Sequence, residues 1–199
     1  MTATIDFHFD FISPYSYLAN AVLPRLAARH SASIRYRPLQ LRELMQLVGN
    51  RPTTIECRNK GLYAITDVGR WASRYQVKFT PSPYWQGIDF GELGRGALAA
   101  IDQGRGAAYV DAVWAALYGE ALDLGQRTVL LRVLDQAGFD GAALLRQAGS
   151  TDYAARLREN TALAAEKGVF GSPTIFLGDE MFFGNDRLDF LEAALRPAA

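Results

Sequence analysis

Alternation of apolar and polar side chains opens the chain. In Thr4 to Phe11, Ile5, Phe7, Phe9 and Phe11 fall on one face and polar groups on the other, the period of a strand. The period changes at Ser13-Pro14. Ser is a favoured N-cap, Pro suits the first helical position, and Leu18, Val22 and Leu26 then recur at helical spacing. Ile34 to Leu39 reads as a second strand, so the first forty residues predict a β-α-β unit with a right-handed crossover and parallel strands. From about residue 41 to 167 the spacing is helical, as in Ile65, Val68, Ala72 and Tyr75 or Val110, Val113, Trp114 and Leu117. Breaks at Gly49 to Pro52, Pro81 to Pro83, and Gly104 and Gly106 divide this block. After Gly168 extended patterning returns: Pro173 to Leu177, a Gly178-Asp179 turn signal, and Met181 to Phe183 as a hairpin partner. A closing helix, Arg187 to Leu195, places Leu188, Leu191 and Leu195 on one face.

The expected organisation is α/β, with a core formed by residues 1–40 and 168–199 and a helical insertion at 41–167. A chain of 199 residues can bury a core without staples. Lys plus Arg equals Asp plus Glu at 21 each, so no global field draws the chain to nucleic acid or to an anionic membrane. No apolar run reaches membrane-spanning length and residues 1–6 lack signal-peptide character, which makes a cytoplasmic protein the expectation. The single cysteine, Cys57, excludes an intrachain disulfide and a Cys-X-X-Cys redox motif. With only His8 and His30 besides, no metal site is expected.

Ser13 is the first candidate functional residue. It lies past the carboxyl end of a strand and at a helix N-terminus, where ligands bind in open α/β sheets and where backbone N–H groups favour anions. A Ser before Pro at that place is usually only a cap, and spacing alone does not settle it. The tetrapeptide Ser13-Pro14-Tyr15-Ser16, however, occupies the position where a thioredoxin-like fold carries Cys-X-X-Cys, and the element order is that of the DsbA-like branch. Phe9 to Ala19, Gly168 to Thr174 and Gly178 to Leu188, with the looser matches Gly49 to Pro52 and Lys60 to Trp71, resemble 2-hydroxychromene-2-carboxylate isomerases and their relatives, the kappa-class glutathione transferases. These motifs cover about a quarter of the chain, in the family's order.

The resemblance implies a thioredoxin-like fold and a borrowed thiol, glutathione, contacted by Ser13. A free thiol has a pKa near 8.5 and is only about 3% thiolate at pH 7; lowering it by about two units makes it roughly three quarters thiolate. A serine hydroxyl and helix N-terminal amides favour the thiolate without forming a disulfide with it. Ser16 is read as first-turn support. Pro173 would start a strand on its own reading; the resemblance implies a cis proline, with the Ser172 backbone open to an added ligand strand. The relatives more often carry a bulky apolar residue where Ser172 stands. Asp186 alone reads as an N-cap, and the resemblance gives Asn185 and Asp186 the γ-glutamyl end of glutathione.

For an aromatic carboxylate substrate the pocket needs a cation and apolar walls. Lys60 is the candidate cation and Asn50 the second polar residue; each is an ordinary exposed or turn residue apart from its family position. Phe11, Tyr84 and Trp85 are candidate walls, although aromatics also serve the core. The implied activity is glutathione-dependent cis–trans isomerisation in naphthalene-type aromatic degradation. A kappa-type transferase or a thiol-peptide binding module remains open, and a disulfide oxidoreductase lacks its cysteines. Cys57 is expected to be a bystander. A homodimer is implied by the family, with Trp114 and Tyr118 as an apolar pair presumed exposed.

Overall fold

The computed structural model describes residues 2–196; residue 1 and residues 197–199 of the expected core lie outside it. Strand β1 (Thr4–Phe9) pairs in parallel with β2 (Ser33–Pro38) across α1 (Pro14–Arg29). After the helical block, β3 (Thr174–Leu177) returns antiparallel to β1, and β4 (Glu180–Phe183) pairs antiparallel with β3, giving the order β2-β1-β3-β4. The two-residue turn is Gly178-Asp179, because Leu177 faces Glu180. The first strand stops at Phe9, two residues short of the alternation, since the Asp10 carboxylate turns the chain by accepting from the Ile12 N–H at 3.0 Å. The closing helix begins as a 3-10 turn, Asn185–Arg187, before α10 (Leu188–Ala194).

The block between the sheet halves consists of α2 (Leu41–Leu47), α3 (Thr53–Glu56), α4 (Arg58–Tyr75), α5 (Phe90–Asp102), α6 (Gly106–Trp114), α7 (Arg127–Gln136), α8 (Gly141–Ala148) and α9 (Thr151–Glu166). Ile5, Phe7 and Phe9 on one face of β1 join Leu23 of α1, Leu93 of α5, Trp114 of α6 and Leu188 of α10 in the main core. Phe176 of β3 belongs to the smaller cluster with Leu44 of α2 and Ala164 of α9. Both faces of the sheet are therefore covered, which is why the strands tolerate so many large apolar residues.

Trp114 and Tyr118 are buried, contrary to the sequence expectation: Trp114 packs against Phe9 and Phe11 at ring-centroid distances of 5.0 and 5.1 Å, and Tyr118 tilts over Tyr17 at 5.6 Å. Helical spacing shows which side chains share a face but not which neighbour covers it. Exposed apolar residues are found instead around α2 to α4, as with Leu47, Ile55, Leu62, Tyr63 and Ile65, and on β4 and the last helix, as with Phe183 and Phe190. Among the described residues no helix is long and apolar enough to cross a membrane.

Candidate functional site

Ser13 is the N-cap of α1, as its sequence position suggests. Its backbone is extended, its Oγ accepts from the Ser16 N–H at 3.2 Å, and its own N–H donates to the Asp10 carbonyl at 3.1 Å. The hydroxyl then donates to the Ser172 carbonyl at 3.0 Å, across 159 residues of sequence. A single π-helical turn, Ala115–Gly119, follows α6 and aims the Tyr118 hydroxyl at the Ile12 carbonyl, 2.7 Å away. Such turns widen a helix by one residue and re-aim the side chains that follow. Here the turn fixes the residue immediately before Ser13.

The Ser172–Pro173 peptide is cis. The Ser172 hydroxyl lies 2.7 Å from Ser16 Oγ and accepts from the Asp10 N–H at 3.0 Å. The loop before β3 is thereby held to both ends of the turn that bears Ser13. Among the described residues the Ser172 N–H donates to no partner, which leaves it available to a ligand backbone.

A cavity of about 230 Å³ opens beside this loop, lined by Ser172, Pro173, Asn185 and Asp186 together with Tyr15, Asp67 and Trp71. Four sequence-predicted residues thus meet there. Asn185 is buried, and its carbonyl accepts from the Tyr75 hydroxyl at 2.8 Å. Asp186 is not the helix cap; its carboxylate pairs with Arg187 at 2.5 Å, and Arg187 occupies the cap position of α10. Gly184 is required just before it, with φ at +100° and a notional Cβ only 2.4 Å from Asp186 Oδ1. Tyr15 and Asp67 form a hydrogen bond of 3.0 Å that sequence reasoning missed. Burial, together with that bond to Asp67, raises the Tyr15 phenol pKa well above its usual range and keeps it a donor. The signal was present in Asp67 and Trp71, four residues apart and so on one face of α4.

The remaining candidates are placed differently. Phe11 is 1% exposed and packed among Phe9, Tyr109 and Trp114, so it is core and not a ligand wall; the chain turns it inward past the strand end. Trp85 lines a second cavity of about 480 Å³, which reaches Asp10 and Ile12, and Tyr84 is exposed beside it. Asn50 donates to the Phe170 carbonyl at 2.7 Å, and Lys60 donates to Thr53 Oγ1 at 3.0 Å. Neither lines either cavity: Lys60 is held by α3, and Asn50 by the segment that leads to Ser172. Cys57 is exposed between α3 and α4, away from both cavities. Among the described residues no group of three His, Cys, Asp or Glu is placed to hold a metal ion.

Two titratable groups in and just past β1 are buried, Asp10 against the larger cavity and His8 against a separate one lined by Asp6, Arg37 and Lys167. Asp10 is shifted up to about 6, first by burial, with partial relief from the N–H groups of Leu41 and Ile12 and from the charge of Arg42. His8, in β1, is shifted down to about 4, mainly because burial disfavours the imidazolium. One is held more protonated than in water and the other less.

Comparison with known proteins agrees with this geometry. The model of the DsbA-like thioredoxin domain family matches residues 4–196. A 2-hydroxychromene-2-carboxylate isomerase of Sphingobium xenophagum is 38% identical over 196 residues, spanning 98% of this chain and 99% of its own. The solved structure of a 2-hydroxychromene-2-carboxylate isomerase superposes with a TM-score of 0.88 at 35% identity, covering 96% of this chain and 94% of that one. Glutathione S-transferase kappa 1 of Caenorhabditis elegans is 26% identical over 96% of this chain and 90% of its own. With a serine in each cysteine position of the thioredoxin turn and near-full-length likeness to these proteins, the chain belongs to the DsbA-like thioredoxin family, in the group of the 2-hydroxychromene-2-carboxylate isomerases.

Proposed function

We propose that the protein is a glutathione-dependent cis–trans isomerase that interconverts 2-hydroxychromene-2-carboxylate and trans-o-hydroxybenzylidenepyruvate. The observation that carries this reading is Ser13: a hydroxyl at the start of the 16-residue helix α1, bonded to the carbonyl of Ser172, which lines one cavity with Asn185 and Asp186. The residues fit the thiol peptide. Asp186 and Asn185 suit its zwitterionic end, and the free Ser172 N–H suits its backbone.

When bound, glutathione supplies a thiolate that adds reversibly to the conjugated substrate and departs again, so that the ring opens, the former double bond rotates and the thiol is returned. The protein's part is to hold that thiolate and its partner. Ser13 can turn its hydroxyl hydrogen from the Ser172 carbonyl to sulfur while its Oγ keeps the Ser16 N–H. The partial positive charge at the start of α1 lowers the cost of the anion. No sulfur stands at position 13 or 16, so the thiol is not captured there as a mixed disulfide.

The test is ultraviolet-monitored interconversion of the two isomers, with and without catalytic glutathione, in the wild type and in Ser13→Ala. Glutathione-dependent equilibration that falls by about 100-fold in a folded Ser13→Ala protein is expected. Equilibration that ignores glutathione sinks the thiol mechanism. Consumption of glutathione in proportion to product makes the protein a transferase instead.

A further inference from the structure

The larger cavity, about 480 Å³, lies on the other side of the Ser13 turn: Ile12 lines this cavity and Tyr15 lines the smaller one. Its wall includes Asp10 and Ile12 past β1, Arg42 in the first turn of α2, and Trp85, Asp89 and Phe90. Its volume falls within the range of roughly 300–1,000 Å³ usual for small-molecule sites. Three charged side chains face it, and two are already engaged. Asp10 accepts from the N–H groups of Ile12 at 3.0 Å and Leu41 at 2.7 Å. Asp89 accepts from the Glu92 N–H at 3.0 Å and pairs with Arg95 at 3.3 Å.

Arg42 is the third, and it is exposed. Among the described residues it forms no ion pair. Its neighbour Gln40 is held by Glu43, with its backbone N–H on Thr161 Oγ1, so the start of α2 is anchored, while the guanidinium, whose charge bears on Asp10, makes no hydrogen bond among the described residues. A planar guanidinium matches a carboxylate bidentately, and an indole offers a flat wall to a bicyclic ring.

We infer that Arg42 binds the carboxylate of the aromatic substrate in this cavity, with Trp85 against its ring, on the opposite side of Ser13 from the thiol peptide. This rests on the isomerase reading and names the cation that reading lacks, since Lys60 is turned to Thr53. Arg42 is a binding residue. Its loss acts on substrate affinity and not on glutathione.

The experiment uses Arg42→Gln and Arg42→Lys in the full chain. For 2-hydroxychromene-2-carboxylate, Arg42→Gln raises KM roughly 10- to 100-fold with kcat within about twofold, and Arg42→Lys recovers part of it. The KM for glutathione stays at its wild-type value. Calorimetric titration with chromone-2-carboxylate, an unreactive acid of the same bicyclic shape, shows the same loss in Arg42→Gln, whereas uncharged chromone binds wild type and variant alike. An unchanged KM in Arg42→Gln overturns the inference, as does an equal loss for chromone and its carboxylate. The two readings fail separately. A wild type without turnover but with Arg42-dependent binding of chromone-2-carboxylate sinks the isomerase and keeps the carboxylate site; normal turnover with an Arg42-independent KM sinks the site alone.

Discussion

The two cavities on either side of Ser13 are built by different means. The smaller one is walled by groups that already have partners in the fold: Tyr15 with Asp67 within the wall, and Asn185 with Tyr75, Asp186 with Arg187 and Ser172 with Ser16 behind it. The larger one is walled in part by exposed side chains, Trp85 in a short 3-10 turn and Arg42 in the first turn of α2. In the first, the groups that would bind a ligand also hold the fold, so a change there alters stability and binding together. In the second, a side chain can change and alter affinity alone. A site divided in this way keeps its thiol chemistry fixed while its choice of aromatic partner stays adjustable.

The change expected to disturb this division most is at Asp10, which serves both cavities: its N–H holds Ser172 and its carboxylate holds Leu41. Asp10 keeps its proton up to about pH 6 in the folded state but only to 3.8 when unfolded, so between those values the folded state binds more protons and stability falls as pH rises. His8 works in the opposite sense. Folded, it takes up a proton only near pH 4, against 6.5 unfolded, so between those values the unfolded state binds more protons and stability rises with pH. Each effect is on the order of 3 kcal/mol, and they offset between about pH 4 and 6. Urea unfolding from pH 4 to 7 should therefore show stability climbing with pH in Asp10→Asn and declining with pH in His8→Phe. The same slope in both variants would refute the assignment.

Next in size is Gly184→Ala, which places a methyl group against Asp186 at a left-handed φ and should cost about 1–2 kcal/mol. Glutathione affinity should drop with stability, since the same wall serves both; a stable variant with normal affinity would show that this cavity is less interlocked than its hydrogen bonds suggest. Trp85→Ala, across the Ser13 turn, should raise substrate KM several-fold while its unfolding midpoint and glutathione affinity stay near wild type. A matching loss of stability would erase the contrast. Smallest of all is Cys57→Ser, for which activity and stability within error of wild type are expected, because the thiol is exposed and remote from both cavities.

Much of this was legible from residue order. The alternation at Ile5, Phe7 and Phe9, the Ser13-Pro14 helix start and the Gly178-Asp179 turn gave the sheet strands and their connections, because each depends on local chemistry. The four predicted residues around the smaller cavity followed from the two motifs near the C-terminal end, Gly168 to Thr174 and Gly178 to Leu188. What escaped was decided by distant packing. Phe11 continues the strand's alternation, yet a helix 100 residues away supplies the Trp114 that buries it. Arg42 resembles any surface arginine until Trp85 and Asp89 are folded opposite it. Lys60 has the family position of a cation, and only the fold of the short helix α3 turns its ammonium to Thr53.

The antiparallel return of β3 onto β1 bears on synthesis. Roughly 165 residues separate Phe9 from Thr174, so at about 5–20 residues per second a ribosome emits the entire helical block before the central strand can acquire its second neighbour. For that interval, some 8–30 seconds, β1 and β2 have only helices to shield them, and one edge of β1 is open to pairing with another nascent chain. The Ser172 hydroxyl and the Asp186 wall arrive with the same late segment, so a translation product that stalls near residue 167 carries an aggregation-prone edge and no site for the thiol peptide.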